Sequence, residues 1–383
     1  MSSPNLLIVG ASARAAAFSA LRAGLRPWCV DLFADLDLQQ RCPATRLTGR
    51  YPEGFRRFIE SDLPGPWMYT GGLENRPRLL QRWARCRPLW GNVNQRWGDS
   101  RYPEHVASVL RSAAMPVPDV RSSEKSLPEG GRWLLKPRRS AGGMGIRFWT
   151  PMDESWNKND LYCQEFIEGQ SLSLLFLGGG DGTPLLGVTR QLVGETWLHA
   201  APFRYCGSIG PLDPNLIQRP SLEDLGDLLT LECFLDGLFG VDGVLRDGVF
   251  WPVEINPRYT ASVEVLEQAT GAAMLGYHAH VFTHRRLPTL PPPAMPADRT
   301  IGKAILFARN DLHFPGDGPW MAELRSTKPI RELPAFADIP AAGERIEAGK
   351  PILTFFAAAD SVDACEDALR QIATDLDRWL FER

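Results

Sequence analysis

The chain has 383 residues, of which 44% are hydrophobic and 23% charged, and its formal net charge is -3. This length exceeds one ordinary core, so two or three lobes are expected. The acidic balance argues against non-specific nucleic-acid binding, which needs a basic surface. Seven scattered cysteines without a C-x-x-C pair favour reduced thiols in a cytoplasmic protein. Because Gly10, Arg14 and Arg22 interrupt the apolar start, we expect neither a signal peptide nor a membrane span.

The N-terminal residues have the pattern of a βαβ unit. Asn5–Val9 is predicted as a buried strand, an Ala-rich helix follows up to about Arg22, and Pro27–Asp31 is predicted as a second strand. A dinucleotide-binding G-x-G-x-x-G fingerprint would need glycines where Ser12 and Ala15 stand. A structural, Rossmann-like lobe is therefore favoured over a dinucleotide site.

The remaining elements follow in chain order, with a loop-rich stretch at Met115–Gly131 and a Pro-rich linker at Leu287–Pro296. Asp247-Gly248 is a strong hairpin signal. The predicted helices are Arg78–Arg85, Tyr102–Ala114, Leu222–Asp236 and Asp360–Leu380. The predicted strands are Trp133–Lys136, Tyr162–Ile167, Ser171–Leu177, Leu185–Leu192, Val241–Leu245, Val249–Ile255, Ile301–Phe307 and pieces around Gly349–Ala357.

A glycine-rich loop follows the strand that ends in Lys136. Gly142, Gly143 and Gly145 give this loop three glycines in four positions. Glycine lets backbone N–H groups approach an anion closely, and a lysine at the strand end supplies a point charge for phosphate oxygens. The loop lacks the Gly-Lys-Ser/Thr ending of a Walker A motif. It therefore indicates a phosphate-binding loop of another kind.

The hairpin near residue 248 carries a candidate metal site. Glu254 and Asn256 are two apart on one strand and share a face, while Asp242 lies on the partner strand. Two carboxylates and an amide oxygen are the hard ligands that Mg²⁺ takes when nucleotide phosphates complete its octahedron. Glu254 also stands between Val253 and Ile255, and a buried acid needs a partner or a metal. The pattern favours a Mg²⁺ site over ordinary surface charges.

With the segment Gln164-Glu-Phe-Ile-Glu-Gly169 between them, these motifs resemble the ATP-grasp superfamily in order and spacing. The resemblance covers roughly residues 105–275 and is most specific at Glu254-Ile-Asn-Pro-Arg258. The chain most resembles the branch of predicted ATP-dependent carboligases related to biotin carboxylase. The resemblance implies an α/β (α+β) fold with a Rossmann-like lobe at 1–104, a two-lobed ATP-grasp domain at 105–285 and a small β-rich C-terminal lobe at 286–383.

The resemblance also implies roles for individual residues. The residues expected to bind ATP are Arg121, Lys136, Gly142, Gly143, Gly145, Gln164, Glu165, Ile167 and Gln170, the last at the ribose. The residues expected to bind Mg²⁺ are Asp242, Glu254 and Asn256. Lys136 and Arg258 would be catalytic, neutralising charge on the transferred phosphoryl group. Arg204 lies where such enzymes often place acceptor contacts, although a solvated arginine fits its sequence context equally well.

Two features depart from the family pattern. Pro252 inside the metal-bearing strand requires an edge strand or a bulge, and Arg138-Arg139 make the start of the loop unusually basic. His278, His280 and His284 do not form a convincing metal motif, because residues i and i+2 of a helix do not share a face. The twelve tryptophans are expected in cores and lobe interfaces.

The activity that the resemblance implies is an ATP- and Mg-dependent carboxylate–amine ligase. Such an enzyme would use a small-molecule carboxylate and a small-molecule amine as substrates. One example is glutamate ligation during one-carbon cofactor biosynthesis. Two other functions stay open: a bicarbonate-activating, carboxylase-like enzyme and a non-catalytic nucleotide-binding protein. Biotin-carboxylase-like relatives often dimerise, so a homodimer is one expected assembly. Neither nucleic acid nor a membrane is expected as a partner.

Overall fold

The computed structural model describes residues 5–93, 100–122, 127, 131–150, 160–290 and 299–382. Part of the predicted linker Leu287–Pro296 and part of the predicted loop Met115–Gly131 lie outside these ranges. Within them, no helix combines the length and the apolar character that crossing a membrane requires. The strands form three main sheets and one two-stranded ribbon.

The N-terminal lobe is a parallel four-stranded sheet with strand order β3-β2-β1-β4. The predicted βαβ unit is present, and Asp31 at its second strand end accepts a hydrogen bond from the Ala13 N–H ahead of the first helix, at 3.1 Å. The elements of this lobe are β1 (Leu6–Gly10), α1 (Arg14–Arg22), β2 (Pro27–Asp31), α2 (Leu36–Arg41), β3 (Ala44–Arg46), α3 (Arg56–Ile59), β4 (Trp67–Tyr69) and α4 (Pro77–Ala84).

A small antiparallel sheet follows the helix α5 (Pro103–Ser112), which begins at a proline as helices favour. Its strand order is β5-β8-β6-β7. The four strands are β5 (Val120–Arg121), β6 (Trp133–Pro137), β7 (Arg147–Phe148) and β8 (Leu161–Glu165). The glycine-rich loop joins β6 to β7 and so forms the turn of a hairpin.

The largest sheet is antiparallel and has eight strands in the order β13-β12-β9-β10-β11-β14-β18-β16. Its strands are β9 (Gln170–Gly178), β10 (Leu185–Val193), β11 (Tyr205–Gly210), β12 (Gly237–Arg246), β13 (Val249–Asn256), β14 (Thr300–Phe307), β16 (Phe336–Ala337) and β18 (Pro351–Ala359). The remaining elements are α6 (Leu222–Cys233), α7 (Ala261–Thr270), α8 (Met274–His284), β15 (Leu312–His313), α9 (Met321–Leu324), β17 (Arg345–Ile346) and α10 (Val362–Phe381).

This sheet crosses the boundary expected at residues 285 and 286. Strand β14 pairs with β11 on one side and β18 on the other, so the C-terminal strands extend the sheet of the preceding region. The amphipathic helix α10 covers this end of the sheet, with Cys365, Leu369 and Leu376 buried in a shared core. The C-terminal segment is thus β-rich, as expected, but it is continuous with the central sheet.

Pro252 lies on an edge strand and beside a bulge, as the sequence predicts. Strand β13 is the edge strand of the large sheet, and its pairing with β12 shifts register between Asp242 and Gly243. A proline cannot donate to the strand ladder, which explains both features. The shift leaves Val253 as the extra residue, and its carbonyl oxygen accepts a hydrogen bond from Gln164 Nε2 at 3.2 Å. The bulge therefore links the hairpin to the small sheet.

Candidate active site

A cavity of about 700 Å³ is lined by residues from both antiparallel sheets. The small sheet contributes Lys136 and the segment Gln164–Ile167, and the glycine-rich loop contributes Gly142 and Gly143. The large sheet contributes Asp242, Glu254 and Asn256, beside the start of helix α7. Residues predicted as separate motifs thus meet around one space.

Cross-strand pairing brings the candidate metal residues together. Asp242 is paired directly with Glu254 on β13 and with Ser173 on β9, so the three side chains share a face of the sheet. Ser173 Oγ donates to Asp242 Oδ1 at 2.7 Å, and Asn256 Nδ2 donates to Asp242 Oδ2 at 2.8 Å. The predicted common face of Glu254 and Asn256 is confirmed.

The two carboxylates experience opposite electrostatic surroundings. Burial, followed by repulsion from Glu254, raises the pKa of Asp242 to about 6. Burial also opposes ionisation of Glu254, but the charges of Arg101 and Lys136 outweigh it and hold the pKa of Glu254 below its ordinary value. A cation placed between these residues would remove the penalty at Asp242. The site is therefore short of positive charge beside Asp242.

The donor set fits a magnesium ion that shares its coordination with phosphate oxygens. Among the residues for which the structure gives positions, no group of three or more His, Cys, Asp or Glu side chains could hold a metal alone. Two carboxylates and an amide oxygen are too few ligands for calcium, whereas Mg²⁺ commonly takes one or two carboxylates plus nucleotide phosphates. Asp242, Glu254 and Asn256 are the residues that would hold it.

Arg258 lies beside this pair and its guanidinium is held at three points. Nε donates to Glu74 Oε1 at 2.8 Å, Nη1 donates to the Tyr259 carbonyl at 2.9 Å, and Nη2 donates to Asn256 Oδ1 at 3.2 Å. Three fixed donors hold a planar guanidinium in one orientation. Glu74 comes from the N-terminal lobe and was not predicted from the sequence.

Lys136 faces the cavity from the end of β6, as predicted, and its residue is only 6% exposed. Its Nζ donates to Gln164 Oε1 at 2.9 Å. Its positive charge also helps to hold the pKa of Glu254 below its ordinary value.

Arg101 is a second cation at this site, and the sequence analysis did not select it. Its Nη1 donates to Glu254 Oε1 at 2.5 Å and to the Ile255 carbonyl at 3.1 Å. Its Nη2 donates to Asn75 Oδ1 at 3.1 Å and to the Ser140 carbonyl at 3.3 Å. The arginine therefore connects the metal-bearing strand, the N-terminal lobe and the base of the glycine-rich loop. An isolated arginine in a loop carries no local signal of such contacts.

Arg121 does not lie where the sequence analysis expected a phosphate cation. It is on β5, the edge strand of the small sheet, and it is not part of the cavity lining. Its Nη2 donates to Asp119 Oδ2 at 3.0 Å. The structure therefore does not place Arg121 in the main cavity, and its guanidinium pairs with Asp119 instead.

The glycine-rich loop adopts backbone conformations that favour glycine. Gly142, Gly143 and Gly145 have φ angles of 60°, 78° and 75°. A Cβ atom on Gly143 would lie 1.8 Å from the carbonyl oxygen of Phe203, which no side chain could tolerate. The Tyr205 N–H donates to the Gly142 carbonyl at 3.2 Å. The loop is thus docked against the segment that precedes β11.

The hinge segment lines the cavity through Gln164, Glu165, Phe166 and Ile167. The Glu165 side chain is directed toward β5, where its Oε2 accepts from the Asp119 N–H at 3.1 Å. Gln170 is exposed at the start of β9 and does not line the cavity, unlike its neighbours Gly169 and Ser171.

Arg204 lies on the outer side of the glycine-rich loop. It lines a separate space of about 450 Å³ together with Met144 and Gly145, and its guanidinium lies over the Phe307 ring at 5.6 Å. Burial lowers the pKa of Arg204. The structure therefore does not place this arginine in the main cavity.

The N-terminus of helix α7 opens into the main cavity. Thr260, Ala261 and Ser262 line it, and all three precede or begin a helix of ten residues. Thr260 Oγ1 is buried, has no hydrogen-bond partner in the described ranges, and does not cap the helix. First-turn N–H groups and the helix dipole attract anions. The sequence analysis did not select these three residues.

Comparison with known proteins agrees with this arrangement. A family model described as an ATP-grasp domain matches residues 104–262. This stretch of the chain is an ATP-grasp domain. It contains the whole lining of the main cavity, from Leu134 to Ser262. The expected superfamily is confirmed.

One curated protein matches part of the chain. The D-alanine–D-alanine ligase of Pseudothermotoga lettingae is 25% identical over 169 residues, or 40% of this chain and 56% of that protein. The chain thus spans about half the length of that curated relative.

Two solved structures match nearly the whole chain. The L-amino acid ligase of Bacillus licheniformis has a TM-score of 0.69 at 16% identity, with 98% of each chain covered. The biotin carboxylase of Campylobacter jejuni has a TM-score of 0.68 at 15% identity, with 96% of this chain and 90% of that chain covered. These likenesses confirm the ATP-grasp fold that the sequence predicts.

Proposed function

We propose that this protein is an ATP- and Mg²⁺-dependent ligase that activates a carboxylate as an acyl phosphate and transfers it to an amine. The observation that carries the proposal is the continuity of the main cavity. Its lining includes the hinge at Gln164–Ile167, the carboxylates of Asp242 and Glu254, and the N-terminus of α7. A nucleotide and a second anionic substrate therefore fit into one space, with the candidate metal residues between them.

The nucleotide would occupy the side of the cavity next to the small sheet. Backbone groups of Glu165 and Ile167 would hold adenine, and Gly142 and Gly143 would close over the phosphates. Lys136 is the cation of this side, at the end of β6. Arg101 does not line the cavity and instead pairs with Glu254 and donates to the Ser140 carbonyl. Gln170 has no part in this arrangement.

The metal would be held where the two sheets approach each other. Asp242, Glu254 and Asn256 supply the oxygen ligands, and Mg²⁺ bound there would neutralise charge on the transferred phosphoryl group. The D-alanine–D-alanine ligase and the L-amino acid ligase are ligases by name, which supports a synthetic rather than a hydrolytic use of ATP.

The carboxylate substrate would be bound at the N-terminus of α7. The unpartnered Thr260 hydroxyl, the buried Ser262 and the first N–H groups of the helix are suited to carboxylate oxygens. Arg258, two residues before Thr260, lies between this surface and the metal residues. An arginine in that place would stabilise negative charge as it develops on the phosphoryl group.

The chemistry then needs no nucleophile from the protein. A carboxylate oxygen attacks the γ-phosphorus, the bond to the β–γ bridging oxygen breaks, and ADP leaves. The amine nitrogen attacks the acyl carbon, inorganic phosphate leaves with the acyl oxygen, and the nitrogen loses a proton. Positioning and electrostatic stabilisation supply the rate enhancement in such steps. The closed glycine-rich loop would exclude water from the acyl phosphate.

The test is ADP release measured against pools of carboxylates and amines, including glutamate among the amines. We expect ADP release to require one carboxylate and one amine together, with formation of one amide per ADP. Release with bicarbonate alone would instead support the carboxylase-like function. Nucleotide binding without any turnover across the pools would support the non-catalytic function. ADP release by the Glu254→Gln variant measures the background turnover from contaminating enzymes.

A further inference from the structure

A short turn of the N-terminal lobe contacts the candidate active site. Strand β4 is followed by Gly71 and Gly72 and then by a 3₁₀ turn, Leu73–Asn75. A Cβ atom on Gly71 would lie 3.3 Å from the Arg258 Cζ and Nη2 atoms. The absence of a side chain at Gly71 therefore allows the backbone of this turn to approach the guanidinium closely.

Glu74 in this turn makes a buried ion pair with Arg258. It is 1% exposed, and its Oε1 accepts from Arg258 Nε at 2.8 Å, although 184 residues separate the two. Its other oxygen, Oε2, is buried with no partner among the residues that the structure describes. A buried ion pair is weak evidence of a role in stability, since apolar residues of similar volume often serve as well. The buried position of the Glu74 carboxylate is better explained by its effect on Arg258.

Arg258 lies close to a pair of carboxylates. It lines the same cavity as Asp242 and Glu254, and its Nη2 donates to Asn256 Oδ1, whose amide nitrogen donates to Asp242. An arginine free to rotate would move toward this carboxylate pair, because an opposite charge in a cleft is the most favourable partner available. The Nε–Glu74 contact, together with Asn256 and Tyr259, holds the guanidinium to one side. The pair is thereby left open to another cation.

We propose that Glu74 is a positioning residue that holds Arg258 beside the Asp242–Glu254 pair and prevents the arginine from taking the place of the cation that those carboxylates bind. The metal part of this statement rests on the proposed function. The neighbouring Asn75 ties the same turn to the glycine-rich loop, since its Nδ2 donates to the Ser140 carbonyl at 3.0 Å. The N-terminal lobe thus sets the position of the arginine and of the loop base through adjacent residues.

The test distinguishes the effect of side-chain length at position 74 from the effect of side-chain charge. Glu74→Asp keeps the negative charge but withdraws it by one methylene, so it loses the contact with Nε. Glu74→Gln keeps an acceptor oxygen at the right distance and loses the charge. The matched control is Glu60→Ala, which removes a carboxylate that accepts from an arginine Nε at 2.8 Å in the same lobe, but on the surface.

Binding of ADP is measured by calorimetry over a range of Mg²⁺ concentrations for each full-length variant. The Mg²⁺ concentration for half-maximal ADP binding should rise about 10-fold in Glu74→Asp and stay within about 3-fold of wild type in Glu74→Gln, as loss of one charge-assisted hydrogen bond would give. Glu60→Ala should match wild type. An unchanged Mg²⁺ requirement in Glu74→Asp, or equal impairment in Glu74→Gln, would overturn the positioning role.

A second measurement does not depend on nucleotide or metal. Hydrogen–deuterium exchange of peptides covering residues 254–262, in the free protein, should be faster in Glu74→Asp and near wild type in Glu74→Gln. If wild type bound no ADP at any Mg²⁺ concentration, the proposed function would fail while the exchange result still decided the role of Glu74. Equal exchange in all variants would contradict that role.

Discussion

Arg101 Nη1 lies 2.5 Å from Glu254 Oε1, although 153 residues separate them in the sequence. The pair joins the chain ahead of helix α5 to the metal-bearing strand β13. Because Arg101 also donates to the Ser140 carbonyl, the charge state of Glu254 is linked to the base of the glycine-rich loop. The proposed metal site and the base of the glycine-rich loop therefore share contacts with Arg101.

Glu254→Gln should abolish Mg²⁺-dependent nucleotide binding. The change removes a charged ligand and leaves Arg101 without its carboxylate, so excess positive charge would remain where the metal binds. Wild type at 100 times the dissociation constant of Mg-ADP should gain about 2.7 kcal/mol of stability, seen as a rise in Tm. EDTA should remove this rise. A rise of equal size in Glu254→Gln, with its unfolding otherwise cooperative, would show that this carboxylate does not bind the metal.

Lys136 and Arg121 should differ sharply in their effect on nucleotide binding. Lys136→Met removes a buried ammonium at the cavity wall and should weaken ADP binding at least 10-fold, as expected for hydrogen bonds to charged groups. Arg121→Met removes a cation that pairs with Asp119 outside the cavity and should change affinity by less than about 2-fold. Calorimetric titration with Mg-ADP measures both. Equal losses in the two variants would restore Arg121 as a phosphate contact.

The parts of the site that the sequence predicts are those encoded by neighbouring residues. Alternation along β13 places Glu254 and Asn256 on one face, and Asp247-Gly248 forms the hairpin turn. The bulge beside Pro252 then shifts the register so that Glu254 pairs with Asp242. Each of these follows from backbone geometry over a few residues. The fold of the ATP-grasp region was predictable for the same reason, together with the order of its motifs.

The parts that the sequence did not predict depend on contacts across lobes. Glu74, Asn75 and Arg101 acquire their roles only when the N-terminal sheet packs beside β13, and no local pattern encodes that packing. Strand order is similarly non-local, since β11 pairs with β14 although two strands and three helices lie between them in sequence. Thr260 was missed because its significance depends on where helix α7 begins relative to the cavity.

Arg14→Met should strongly reduce the free energy of unfolding. Arg14 is fully buried and makes a bidentate contact with Glu264, at 2.5 and 2.9 Å, while Lys303 donates to the same carboxylate at 2.7 Å. These residues connect α1, α7 and β14, and losing the arginine leaves buried carboxylates unbalanced. The expected cost is about 3–5 kcal/mol, measured by urea unfolding.

The surface pair Arg56–Glu60 provides the control for this comparison. Arg56→Ala removes a contact of 2.8 Å between exposed side chains and should cost less than about 1 kcal/mol. If Arg14→Met lowered the free energy of unfolding no more than Arg56→Ala does, the buried cluster would contribute little to holding α1, α7 and β14 together. Retention of the Mg-ADP affinity in Arg14→Met would place the effect in the scaffold rather than in the cavity.

His278 should make the folded state sensitive to mildly acidic pH. Burial lowers the pKa of His278 to about 4, against a smaller opposing effect of its hydrogen bond to the Trp90 carbonyl. Nδ1 accepts from the Leu238 N–H at 2.9 Å, so the ring must stay neutral with its proton on Nε2. The unfolded chain takes up a proton near pH 6.5, whereas the folded chain does so only near pH 4. Unfolding is therefore favoured increasingly as pH falls between these values.

The slope of this effect follows from proton linkage. A single group contributes about 1.4 kcal/mol per pH unit, which amounts to roughly 3 kcal/mol between pH 6.5 and pH 4. His278→Asn should remove this component, so the difference in unfolding free energy between wild type and variant should change with pH over that window and be constant above pH 7.5. A pH-independent difference for His278→Asn would mean that the ring is protonated equally in the folded and unfolded chains.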